Sequence, residues 1–252
     1  MSCTPSSRLI AGAKSNFNPS SDLGISWAIV TWSDGVPSRG TAMIQVHVVD
    51  ASNSFAYRGD LDSYFRLRHE IYVDERGWHE LRRPDSREID PFDTPEAIHL
   101  LGIQPGRGVV AGSRLVPSLR PHLMSEIFPQ LAEGGVPRRP DIFEWTRFFV
   151  ARDFRDPGRP CQAAGVIYCG ILEFCIQRGI SNLTIVCEDY WFDRLASIGW
   201  CPRQLGSSFK CDDMTIIGVM VDVGPSALAA TRQFYRITDP VLWAETALKR
   251  LA

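Results

Sequence analysis

The chain has 252 residues, 44% of them hydrophobic, enough to bury a sizeable core in one large domain or in one domain with an appendage. Its 27 basic and 29 acidic residues give a net charge of −2, which argues against wholesale nucleic-acid binding. The seven cysteines form no C-x-x-C pair and are odd in number, so neither a disulfide framework nor a zinc site is expected. Most of them lie in apolar runs, as free thiols do in a reducing cytoplasm, and no apolar run approaches the ~18 residues of a membrane span.

Residues 1–42 are rich in Ser, Gly, Pro and Asn around one apolar island, Ile25–Trp32, and the character of the chain changes at Met43. The expectation is a poorly ordered extension or mis-assigned start over 1–42 and one domain over 43–252. Leu23–Trp32 lacks both a preceding cluster of positive charge and a small-residue cleavage site, so no targeting signal is read there. From Ile44 the alternation IQVHVVD has the period of a half-buried strand. Leu61, Tyr64, Phe65, Leu67, Ile71 and Tyr72 then recur at helical spacing. After Asp74 the pattern breaks around Gly77, Trp78 and Pro84 into a long loop ending in Asp90-Pro91-Phe92-Asp93, and compact domains rarely keep such a loop without a use for it.

Two strands, Ala97–Ile103 and Val109–Val116, flank a Pro-Gly turn and should form an antiparallel hairpin. Met124, Ile127, Phe128 and Leu131 suggest a short helix, and Ile142–Val150 reads as a central strand. Pro160–Arg178 is the longest helix, stopped by Gly179. Strand Leu183–Cys187, helix Tyr190–Ser197 and strand Thr215–Val223 follow, with residues 225–252 helical and peripheral. Strand, long helix, strand is a crossover unit, so the fold class is α/β: a mixed twisted sheet with helices on both faces.

On the Ile142–Val150 strand, alternation puts Glu144 and Thr146 on one face and Trp145 and Arg147 on the other. A carboxylate amid so many aromatic residues is desolvated, which suits a general base; the competing reading is a glutamate paired with an arginine for structural reasons. Arg138, Arg139, Arg152, Arg155 and Arg159 form a basic cluster able to meet phosphates or an acidic protein, or simply a solvated rim. His69, His79, His99 and His122 lack metal-ligand spacing and read as structural or surface residues. No G-x-S-x-G elbow or P-loop is present.

Arg68, Tyr72, Trp78, Asp90 and Asp93 together resemble the "R-x-x-x-F … W … D-x-x-D" signature of LuxI-type acyl-homoserine-lactone synthases. Gly112-Ser113-Arg114-Leu115 and Glu144-Trp145-Thr146-Arg147-Phe148 match that family's "S-x-R-L" and "E-x-[ST]-R-F" motifs in the same order. The resemblance covers about residues 43 to 235. It implies the three-layer sandwich of the GCN5-related N-acyltransferases, with no permanently bound cofactor. It also implies a reaction in which the amine of S-adenosylmethionine attacks an acyl thioester, carried by coenzyme A or by acyl carrier protein, and the product cyclises to a homoserine lactone. Glu144 and Arg147 are then catalytic. Arg68, Tyr72, Trp78, Asp90, Asp93 and Arg114 bind S-adenosylmethionine and organise the loop, although these arginines and aspartates can equally pair mainly with one another.

Two departures stand out. Tyr72 replaces the family's Phe, adding a hydroxyl able to hydrogen-bond. Residues Arg155–Pro160 do not match the "Q/R-x-x-G-x-G/A" phosphate turn of general N-acyltransferases, although amides opening the following helix can receive phosphate. The rings of Phe143–Phe149 resemble the family branch that takes short branched or aryl groups from coenzyme A, with Phe128, Trp145 and Phe148 as the acyl pocket. A generic acyl-CoA-dependent N-acyltransferase and a non-enzymatic ligand-binding relative are the competing readings. In each the protein is cytoplasmic, with no membrane or nucleic-acid partner.

Overall fold

The computed structural model describes residues 43–156, 160–211 and 214–243; the expectations for 1–42 and for 244–252 fall outside them. Strand β1 (Gln45–Val49) lies where the alternation predicts it, and buries Val46 against one layer of helices and Val49 against the other. Helix α1 (Arg58–Arg68) is prolonged by a π-helical turn, His69–Glu75, that covers the C-terminal part of the predicted helix. The hairpin is formed by β2 (Ile98–Gln104) and β3 (Gly108–Pro117), whose turn sets Gly106 and Gly108 at φ 78°.

A single turn α2 (Leu123–Glu126), shorter than the helix suggested by Met124, Ile127, Phe128 and Leu131, leads to β4 (Ile142–Val150), α3 (Gln162–Gln177), β5 (Asn182–Glu188) and α4 (Tyr190–Ser197), these four close to their predicted limits. Two strands too short to show a sequence period, β6 (Arg203–Gln204) and β7 (Phe209–Cys211), precede β8 (Met214–Asp222) and α5 (Pro225–Tyr235).

The sheet order is β1-β2-β3-β4-β5-β8-β6, with β7 also on β8, and every pairing is antiparallel except β4 with β5. Helix α3 covers one face: Ile167, Leu172 and Tyr168 join Leu100, Leu115 and Trp145 in the main core. Helix α1 covers the other, where Tyr64 and Tyr72 pack with Leu101, Val109 and Phe149. The close approach of α1 explains Gly112, since a Cβ there would lie 2.5 Å from the Tyr64 ring. This is the three-layer arrangement expected from the sequence.

The end of the chain differs from expectation. Arg236 adopts a left-handed conformation that terminates α5, and Pro240 disfavours helix in the residue before it. Residues 241–243 are extended and run parallel to β1: Val46 N–H donates to Val241 O, and Trp243 N–H to Val46 O, both at 2.8 Å. The buried Glu173 carboxylate of α3 accepts the Val241 and Leu242 amides and the Arg232 guanidinium. Among the described residues no helix is long and apolar enough to cross a membrane.

Candidate active site

Strands β4 and β5 pair only from Ile142–Asn182 to Glu144–Thr184 and then part. Beyond that point a cavity of about 110 Å³ opens between Trp145–Phe148 of β4 and Ile185–Glu188 of β5. Tyr72, Arg76 and Trp78 close it on one side, Leu123 and Phe128 on another, and Trp191 of α4 lies across it.

The β4 wall is irregular. Gly112 pairs with Phe149 but Arg114 with Thr146, so β4 carries an extra residue, and Arg147 sits in the bulge at φ 54°. Strict alternation predicts Arg147 on the face of Trp145. The bulge instead turns it to the α1 side, beside Thr146, whose hydroxyl accepts from Arg114 Nε at 3.1 Å. Phe148 is returned to the side of Trp145 and stacks on Tyr168 at 4.7 Å. The Tyr72 hydroxyl finds its partner here, donating to the Phe148 carbonyl at 2.7 Å, and Trp78 stacks on Tyr72 at 5.0 Å.

Beneath the cavity three arginines and three carboxylates close an alternating ring. Arg68 bridges Glu88 and Asp93, Arg114 bridges Asp93 and Asp90, and Arg147 bridges Asp90 back to Glu88, each by contacts of 2.6–3.0 Å. No side chain of the six is more than 6% exposed. Burial raises the affinity of each carboxylate for protons, but the guanidiniums outweigh it. Arg147 and Arg68 hold Glu88 below the usual carboxylate range, Arg114 and Arg147 do so for Asp90, and Arg114 and Arg68 for Asp93. The ring fastens the long loop to α1, β3 and the β4 bulge.

Glu144 lies elsewhere. Its buried carboxylate accepts from Leu123 N at 2.8 Å and Met124 N at 2.7 Å, and its Oε1 is 3.0 Å from His122 Nδ1. It does not line the cavity. The arginine partner of the competing reading is absent among the described contacts: the partners are a histidine and the opening amides of α2.

The predicted residues thus fall into three groups. Tyr72, Trp78, Phe128, Trp145, Arg147 and Phe148 meet at the cavity; Arg68, Asp90, Asp93 and Arg114 form the ring that Arg147 joins; Glu144 stands behind Leu123. Arg76, Glu188 and Trp191 line the cavity without having been anticipated, and Glu88 is the overlooked member of the ring. Its signal was present in the spacing Glu88-x-Asp90-x-x-Asp93. Of the basic cluster, Arg138, Arg139 and Arg155 are paired with Glu126, Asp141 and Glu75, and Arg159 lies outside the described residues.

Residues 52–230 match the model of the autoinducer synthase family. The chain belongs to that family. Among curated autoinducer synthases, the isovaleryl-homoserine lactone synthase of Bradyrhizobium diazoefficiens is 38% identical over 179 residues, 71% of this chain and 80% of that one. An acyl-homoserine-lactone synthase of Acinetobacter nosocomialis is 34% identical over 68% and 96%. Two solved CoA-dependent acyl-homoserine lactone synthases share the fold. MesI is 43% identical with a TM-score of 0.72, over 79% of this chain and 98% of its own. BjaI, solved with SAM and isopentyl-CoA, is 33% identical with a TM-score of 0.74, over 83% and 100%. The chain is accordingly an acyltransferase of the acyl-homoserine-lactone synthase class, built on the acyltransferase-like sandwich.

Proposed function

We propose that this synthase transfers a short branched or aryl acyl group from coenzyme A to the α-amine of S-adenosylmethionine. The amine attacks the thioester carbonyl, an amide forms and the thiol leaves. The methionine carboxylate then displaces the sulfonium at the γ-carbon, closing the homoserine lactone and releasing methylthioadenosine. The observation that carries the donor reading is the small cavity at the parting of β4 and β5, walled by the rings of Phe128, Trp145, Phe148 and Trp191. The likeness to an isovaleryl-homoserine lactone synthase and to BjaI with its isopentyl-CoA supports the same donor. Arg138 and Arg139 are already paired on the surface, and Arg155 is partly buried against Glu75, so these three offer little to an acidic carrier protein.

Tyr72 and Trp78 give aromatic faces that favour a sulfonium or ammonium. Glu188 is the one carboxylate among the described residues that lines the cavity, so it attracts the cationic substrate and receives the amine proton directly or through water. An α-amine, with a pKa of about 8, must lose that proton before attack. We read Glu144 as a positioning residue that holds the Leu123 wall in place, and the charged ring as the support of Arg147. The free thiols Cys161, Cys169, Cys175, Cys187 and Cys201 fit a cytoplasmic enzyme.

Steady-state assays with S-adenosylmethionine and a panel of thioesters test this. Methylthioadenosine should appear in step with free thiol, with higher kcat/KM for isovaleryl- or aryl-CoA than for straight chains of eight or more carbons. Each methylene that no longer fits forfeits about 0.8 kcal/mol of burial and adds strain. A preference for long-chain acyl carrier protein overturns the donor assignment. Thiol release only with other amines makes the protein a generic N-acyltransferase instead.

A further inference from the structure

A second cavity adjoins the first, sharing Arg76, Phe148 and Trp191 with it, and runs past Phe149 and Val150 to Cys161 and Ala164 at the first turn of α3. Three arginines line it. Arg155 is paired with Glu75 at 2.8 Å and Arg76 with Glu188 at 3.3 Å. Arg194 of α4 makes no salt bridge among the described residues.

That arginine is only 5% exposed, and its Nε is buried without a hydrogen-bond partner. It rests on ring faces, 4.8 Å from Trp191 and 5.9 Å from Tyr168. The titratable groups facing it from α3, α4 and α5 are the hydroxyls of Tyr168, Tyr190 and Tyr235, which burial keeps protonated and therefore neutral. A buried guanidinium without a counter-charge is rare, because desolvating it is costly and ring faces return only part of that cost. Pairing explains the other two arginines of this cavity. It leaves the third unexplained.

The start of α3 lies beside the same cavity, and there the Gln162 amide already donates to Asp156 Oδ2 at 3.1 Å, which leaves the guanidinium of Arg194 as the group without a counter-charge. We propose that Arg194 is a donor-recognition residue: a phosphate at the end of the donor's pantetheine arm enters the second cavity and supplies the missing negative charge. The inference rests on the thioester reading given above. It adds to that reading a residue outside every motif of the sequence. Both coenzyme A and a carrier protein bring a pantetheine phosphate, so the chemistry is common to them.

The test compares wild type with Arg194→Gln and Arg194→Lys on isovaleryl-CoA and on the isovaleryl thioester of N-acetylcysteamine, which carries no phosphate. In the glutamine variant the ratio of kcat/KM for the first thioester to that for the second should fall about tenfold or more, the size of a lost charge-assisted hydrogen bond, chiefly through KM for the CoA thioester. Lysine should restore much of it. A loss shared equally by the two thioesters, or an unchanged ratio, makes Arg194 structural and overturns the proposal. An isovaleryl carrier protein weakened as much as the CoA thioester identifies the shared pantetheine phosphate as the group read. Weakening confined to CoA overturns that assignment in favour of its remaining phosphates. Calorimetric titration of free coenzyme A into wild type and Arg194→Gln needs no turnover. It therefore decides the role of Arg194 even if the acyl transfer reading fails.

Discussion

Asp93→Ala should lower stability by about 3–5 kcal/mol, the usual result of removing one partner from a buried ionic network. Asp93 accepts from both terminal nitrogens of Arg68 and contacts Arg114 at 2.7 Å, and it also accepts the Asp90 amide at 2.8 Å. Its loss leaves each of two fully buried guanidiniums with one carboxylate in place of two. At about 2–4 °C per kcal/mol for a domain of this size, the melting temperature should drop by about 10 °C, and turnover should vanish as the loop bearing Trp78 loses its hold. A drop within 2 °C in a thermal melt would mean that Glu88 and Asp90 suffice to hold the two guanidiniums. The same network sets an acid limit. Because Glu88, Asp90 and Asp93 have folded-state pKa values below their unfolded ones, their stabilisation is fully present above about pH 5 and is lost as pH falls toward the folded values. Melting temperature should therefore be insensitive to these groups from pH 6 to 8 and fall steeply below about pH 4.

Glu144→Gln is the second large effect. The carboxylate meets two backbone N–H donors and His122 with acceptor oxygens alone, whereas a glutamine side chain must turn an NH2 toward at least one of them. A stranded donor costs about 1–3 kcal/mol and lets the His122–Met124 wall shift. Displacements of about 1 Å near reacting atoms can cost about 10² in rate. The expected result is a turnover about 10²-fold lower together with a melting temperature lower by several degrees, and a pH–rate profile of unaltered shape. An undiminished melting temperature with loss of the acidic limb of that profile would return Glu144 to the role of general base.

Most of the layer architecture was legible because it depends on local period: alternation at β1 and β4, helical spacing at α1 and α3, and glycines where helices stop. The motif residues Arg68, Asp90, Asp93, Arg114 and Arg147 were legible as a charged set, but not as a ring, because ring closure depends on a third carboxylate, Glu88, and on which face Arg147 takes. That face is decided by one extra residue in β4. A bulge leaves no mark in composition, and the φ of 54° at Arg147 falls on a residue that a strand pattern places without difficulty. The partners of Glu144 were illegible for a related reason. Aromatic neighbours in sequence indicated desolvation, whereas its donors come from a turn about twenty residues earlier, His122–Met124. Arg194 belongs to no motif, and its lack of a salt bridge among the described residues is what marks it out.

The strand formed by residues 241–243 has a consequence for the protein in bulk solution. β1 is the outermost strand on its side of the sheet, and an open strand edge is a template for intermolecular pairing. The Val241 carbonyl and Trp243 amide occupy the Val46 positions a second molecule would use, and Glu173 fixes the segment that carries them. Proteolytic trimming before Val241 should therefore leave the reaction centre standing while making the enzyme self-associate, with light scattering rising at concentrations where the intact chain stays clear.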